Sequence, residues 1–139
     1  MLSDIVNGIS IKLNSIFGGG YKIYDENVEQ GFEVQSFFIK PLKVINQPFL
    51  SKRKKRTYPF DIAYFPKDGN EEMMEVSDKA LDGLEYITLV NGDMLRGTSL
   101  QAEIVDDVLH ISVNYAVFLN DIAKDESMES YAANLGTKG

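Results

Sequence analysis

Hydrophobic residues recur along the first stretch of the chain at offsets of three and four: Leu2, Ile5, Val6, Ile9, Leu13, Ile16 and Phe17. That is the period of a helix that buries one face. Ser3 or Asp4 is placed to cap its start, and Gly18-Gly19-Gly20 to stop it. The period then drops to two. Residues 21–24 predict a short strand, a polar turn follows around Asp25 to Gly31, and residues 36–45, rich in Phe37, Phe38, Ile39, Leu42, Val44 and Ile45, predict a second strand. Pro41 cannot donate a ladder hydrogen bond, so an edge or a bulge is expected there. After a polar, basic connection over residues 46–56, Tyr58, Phe60, Ile62 and Tyr64 share one side of a third strand, with Pro59, Asp61, Ala63 and Phe65 on the other.

Pro66-Lys67-Asp68-Gly69 reads as a turn, and Asp68 with Glu71 as a capping box that opens a second helix. Its expected inward face is Met73, Met74, Ser77, Ala80, Leu81 and Leu84. A short strand at 86–90 ends at the turn signal Asn91-Gly92, and residues 98–105 pass through Asp106-Asp107 into a last strand at 108–119. There Leu109, Ile111, Val113, Tyr115 and Val117 alternate with His110, Ser112, Asn114, Ala116 and Phe118. The order α-β-β-β-α-β-β-β predicts an α+β fold, two helices packed on one face of a mainly antiparallel sheet. Residues 1–119 make one domain, and 120–139 an acidic C-terminal tail containing Asp121, Asp125, Glu126 and Glu129 that needs packing or a neighbouring subunit to order it. No repeat of 20–50 residues and no second domain are visible.

Composition narrows the chemistry. With 139 residues, 44% hydrophobic and 25% charged, the chain matches one soluble globular domain with a real core. Its apolar runs fall far short of the roughly 20 residues that span a bilayer, and its start lacks a secretory pattern. A product made in the cytoplasm with no membrane partner is therefore expected. Zero cysteines remove disulfides, thiolate metal sites and cysteine catalysis.

Candidate catalytic residues are few. The single histidine, His110, is expected in mid-strand on the face opposite Leu109 and Ile111, with no partner or pocket in view, which is the pattern of an ordinary strand histidine. Glu103, Asp106 and Asp107 cluster beside a hairpin and read as turn chemistry before metal or acid/base work. Gly18 to Gly20 follow a helix instead of leading a strand into one, so they do not form a phosphate cradle. Leu135-Gly136-Thr137-Lys138-Gly139 fails for the same reason, and no hydrolase or zinc motif appears. Neither a cofactor nor a metal is expected.

One segment is chemically unusual. Lys52, Arg53, Lys54, Lys55 and Arg56 gather five of the fourteen cations of a chain whose formal charge is −7. Outside that run, nine cations face twenty-one carboxylates. Nucleic-acid binding would call for aromatic platforms beside the cations, yet Tyr58, Phe60 and Tyr64 alternate as core-facing strand residues. A solvated hairpin tip is the plain alternative. The third reading is a basic arm reaching an acidic protein surface, which identical copies in a ring would supply.

The strings "DIVNGISIKLNSIFGGGYKIYDENVEQGF", "YPFDIAYFP", "LDGLEYITL" and "LRGTSLQAEIVDDVLHISVNYAVFL" resemble the tail terminator family of bacteriophages and prophages of low-GC Gram-positive bacteria. The similarity runs from about Asp4 to Leu119 and carries no catalytic signature. One departure is Asp106-Asp107, where the family pattern has an Asp-Gly turn. The resemblance implies a non-enzymatic virion protein of the tail or neck, an α+β domain forming a homo-hexameric ring at the head-proximal end of the tail tube. The ring stops tube polymerisation and offers a surface to the head connector. In contractile tails it also meets the sheath protein, and DNA passes through its lumen without specific binding. On this reading residues 52–56 form the tip of a long hairpin that touches the next subunit or the tube, with Pro48, Phe49 and Leu50 as an apolar anchor beside them. Alternatives are a head-completion or neck connector protein, and a nucleic-acid-binding module that uses the same hairpin.

Overall fold

A computed structural model describes residues 1–25, 33–50 and 52–120. The element order is α1 (Leu2–Phe17), β1 (Lys22–Tyr24), β2 (Ser36–Pro41), β3 (Ile45–Pro48), β4 (Arg53–Phe65), α2 (Asn70–Gly83), β5 (Tyr86–Thr88), β6 (Met94–Val105) and β7 (Val108–Asn120). The α+β class and the order expected from the sequence are met, with the stretch read as one strand over 36–45 forming two, β2 and β3. The break lies at Pro41, where β2 ends beyond the three residues that β1 pairs with. The strands run β1-β2-β4-β7-β6-β5, with β3 paired to β4, and every pairing with a given register is antiparallel except β1 with β2.

Among the described residues the chain divides into two compact units, Met1–Lys43 with Tyr58–Ala116, and Val44–Thr57 with residues 117–120. In the first, Ile5, Ile9 and Leu13 of α1 and Met73, Val76 and Ala80 of α2 are buried, as are Phe37 and Ile39 of β2, Phe60, Ile62 and Tyr64 of β4, and Leu109, Ile111, Val113 and Tyr115 of β7. The alternate strand residues, among them Phe38, Asp61, Ala63, His110 and Ser112, are only half-buried. One sheet face is therefore packed under the helices and the other is not, as alternation requires. Around Phe37 the core is aromatic: its ring centroid lies 5.0 Å from Phe17 and 4.7 Å from Tyr64.

Local details correct the sequence reading. α1 has Met1 as its N-cap and no side-chain cap from Ser3 or Asp4, while Gly18 ends it at φ 88°, a conformation open to glycine. The carboxylate that reaches back to the turn before α2 is Glu72 and not Glu71: it accepts the Asp68 N–H at 2.7 Å and the Lys67 N–H at 3.1 Å, while the N-cap, Gly69, has no side-chain cap. The helix starts at Asn70, one residue later than a box built on Glu71 needs. Met74, expected inside, is 56% exposed, and Val76 takes the buried place. β6 starts four residues earlier than expected, bringing Gly97 against Leu84, where an added Cβ would lie 2.9 Å from the Leu84 carbonyl oxygen. Asp106 and Asp107 both have positive φ, 52° and 64°, between the paired residues Val105 and Val108. That is the two-residue type I′ hairpin for which Asp-Gly is the usual pair. The turn expected after Asp25 and the C-terminal tail fall largely on residues 26–32 and 121–139, outside the described residues.

Candidate assembly surface

The basic run is a strand and not a loop tip. β3 and β4 pair Ile45 with Thr57, Asn46 with Arg56, Gln47 with Lys55 and Pro48 with Lys54. The Phe49 N–H donates to the Arg53 carbonyl at 2.8 Å, and the Arg53 N–H to the Leu50 carbonyl at 3.2 Å, closing the turn. Of the five cations only Lys52, at φ 44°, lies in that turn, and residues 53–56 belong to β4. Strand geometry relieves the crowding that a run of like charges would otherwise suffer, because successive side chains point to opposite faces. Arg53 and Lys55 share one face, and Lys54 and Arg56 the other. Arg56 Nε donates to Asn46 Oδ1 at 3.1 Å, a cross-strand bond between register partners.

Arg53 builds the notable feature of the second unit. Its guanidinium carbon stands 4.7 Å from the Phe118 ring centroid and 5.8 Å from that of Phe49, and the two rings are 5.0 Å apart. Phe49 is 45% exposed, Phe118 47%, and Leu50 beside them 75%. A cation lying on the face of an aromatic ring gains about 0.5–1 kcal/mol at an exposed site. The structure thus brings together Phe49 and Arg53 of the residues singled out in the sequence, and adds Phe118. Phe118 had a signal: it is the one large aromatic in the outward register of β7, otherwise His110, Ser112, Asn114 and Ala116. What such a cluster can do chemically is hold a carboxylate-bearing partner while giving its apolar side chains somewhere to pack.

The other candidates fall elsewhere. His110 sits in mid-strand as expected, but it has a partner: its Nδ1 is 3.1 Å from Asp61 Oδ2 and 3.2 Å from Oδ1. A carboxylate only accepts, so Nδ1 carries the proton of that bond. Glu103 is the register partner of His110 on β6, and Asp106 with Asp107 form the hairpin turn. Among the described residues, no group of three or more His, Asp or Glu could hold a metal ion. Nor is any helix among them long and apolar enough to cross a membrane.

Among the described residues, titration is perturbed at two places. Burial, and then the hydrogen bond to Glu72, push the Tyr64 hydroxyl well above the usual tyrosine range. Burial alone would raise Glu72, but the Tyr64 hydroxyl, the Asp68 and Lys67 N–H groups and Gln35 together hold its carboxyl below the usual carboxylate range. These bonds tie the start of α2 to β4 and are framework bonds. Tyr115, whose hydroxyl donates to the Leu84 carbonyl at 2.6 Å, is likewise raised by burial.

The fold is α+β, and its second unit exposes Phe49 and Phe118 beside Arg53. A family model described as phage tail terminator protein matches residues 4–129, and the chain belongs to that family. Membership carries a phage tail terminator role and a family of structural proteins. A search among curated proteins found no match.

Proposed function

We propose that the protein forms a homo-hexameric ring at the head-proximal end of a phage tail tube, stops further tube polymerisation and presents the surface to which the head is joined. The observation that carries this reading is the family match over residues 4–129. The work is structural and involves no bond-making step. Its partners are other copies of itself, the tail tube protein and the head connector, together with the sheath protein where the tail contracts. Contacts to the next subunit or the tube run through Phe49, Leu50, Lys52, Arg53, Lys54, Lys55 and Arg56. The half-exposed Phe49 and Phe118 beside Arg53 support this, because aromatic and Arg side chains dominate interface energetics. An acidic body suits a ring through which DNA slides.

The same rings give a specific foothold to one competing reading, single-stranded nucleic acid stacked on Phe49 or Phe118. A mobility shift that survives moderate salt would favour it, whereas the ring reading expects only weak, salt-labile retention. The direct test is electron microscopy of particles from a strain lacking this gene alone. Overlong, headless tubes are expected. Tails of normal length beside unjoined heads would move the protein to the neck, and wholly normal particles would overturn both assignments.

A further inference from the structure

We infer that the Phe49–Arg53–Phe118 cluster of one copy docks on the exposed face of α2 of a second copy, so that the contact is head-to-tail. This rests on the ring reading and goes beyond it by naming both sides of the joint. The docking side is basic and aromatic: Arg53 lies over two half-exposed rings, with Lys55 on the same strand face and Leu50 alongside. Its occupant must bring carboxylates and at least one soft apolar side chain.

α2 offers both. Glu71, Glu75, Asp78 and Asp82 are exposed and spaced by four, three and four residues, which aligns them in one stripe along the helix. Among the described residues none of the four has an ion-pair partner. The only cation on the helix is Lys79. Met74, 56% exposed, lies beside the stripe, and a flexible thioether packs well against aromatic rings. The opposite side of α2, with Met73, Val76, Ser77 and Ala80, is buried in its own unit, so the acidic side is the one left to meet a partner. Several other described carboxylates are already engaged within the chain, Glu85 by Arg96 among them. Asp61 is engaged by His110, Glu72 by Tyr64 and two backbone N–H groups, and Asp106 with Asp107 are set in a tight turn. Because the two patches are different surfaces, copies joined this way form a heterologous chain, which closes into a ring when the rotation per copy allows it.

The absence of cysteine makes a clean test. Leu50→Cys and Met74→Cys are introduced singly and together, and purified tails carrying each variant are mildly oxidised and run on a denaturing, non-reducing gel. The double variant is expected to give a ladder of linked species beyond the dimer, and each single variant to stay monomeric. A dimer from Leu50→Cys alone means that the patch meets itself and overturns the docking. Because two thiols can stand too far apart to join, a charge exchange is run beside it. Arg53→Glu with Lys55→Glu, or Glu75→Lys with Asp78→Lys, should each lower the yield of correctly terminated tails by about tenfold or more, and the combination should recover most of it. No ladder together with no recovery overturns the docking. That failure is distinct from failure of the ring reading, which would show as normal particles after deletion of the gene.

Discussion

Among the described residues, Phe60, Ile62, Tyr64, Leu109, Ile111 and Tyr115 of the first unit are closed to water, whereas in the second Phe49, Leu50 and Phe118 are exposed and only Val117 is a buried apolar side chain. The same two long strands, β4 and β7, supply residues to both. Along β4 the sequence changes from cations at 53–56 to alternating aromatics and aliphatics from Tyr58 onward, and burial changes with it. One stretch of strand thus packs a core, while another displays a charged, aromatic surface that contributes little to the protein's own stability. Substitutions in the first unit should therefore be felt in folding, and those in the second in assembly.

The largest expected effect is at Phe60, fully buried on β4 and 6.3 Å from the Tyr115 ring. Phe60→Ala should cost about 3–5 kcal/mol, the range for emptying an aromatic site, read as a lower urea midpoint. A change below 1 kcal/mol would show that this part of the sheet is not the core. Next is Glu72→Ala, which leaves the buried Tyr64 hydroxyl and the exposed Lys67 and Asp68 N–H groups of the turn before α2 without their acceptor. About 1–3 kcal/mol should be lost at pH 7. Because the folded carboxyl titrates below its ordinary value of about 4.5, its contribution is complete above that pH and disappears as pH falls through the folded value. Wild type and variant should therefore converge in acid, and a constant gap down to pH 2 would remove the linkage.

A smaller effect, of opposite sign, is expected at the β6–β7 turn. Asp106→Asn with Asp107→Gly places the favoured I′ pair where two aspartates now hold positive φ. A gain of about 1 kcal/mol in thermal or urea unfolding is expected, since the left-handed conformation is costly for L-residues. Destabilisation instead would mean that the aspartate side chains hold the turn.

These positions also show what was legible in the sequence. Period-two alternation placed Tyr58 to Phe65 and Leu109 to Val117 on the correct faces, because a sheet buried on one side demands it. Glu72 was misread as Glu71 because helix starts shift by a residue with no change in hydrophobic pattern, and only the backbone shows which carboxylate reaches the N–H groups. Met74 was placed inside because two adjacent methionines carry no phase information, and Val76 was the better match to Met73 and Ala80. The cation run reads as a connection in the sequence because Lys is depleted in strands; pairing with β3 overrides that preference. Phe118 was missed because its partners, Phe49 and Arg53, lie more than sixty residues away in the chain, a distance that no local pattern spans.

The smallest expected effect is the most informative about the comparison. Leu50 is 75% exposed in the turn between β3 and β4. Leu50→Ser should leave thermal and urea unfolding within about 0.5 kcal/mol of wild type, the ordinary range for a surface substitution. If the cluster is a joint between copies, the same change should still reduce the share of tails that end at the correct length, because a central apolar contact is worth most where water is excluded by its partner. Unchanged stability with impaired termination would separate the two units by function as well as by burial. A loss of 2 kcal/mol or more in the isolated chain would instead mean that the turn is part of the framework, and the contrast between a self-packed unit and a displayed one would fail at the residue where it is sharpest.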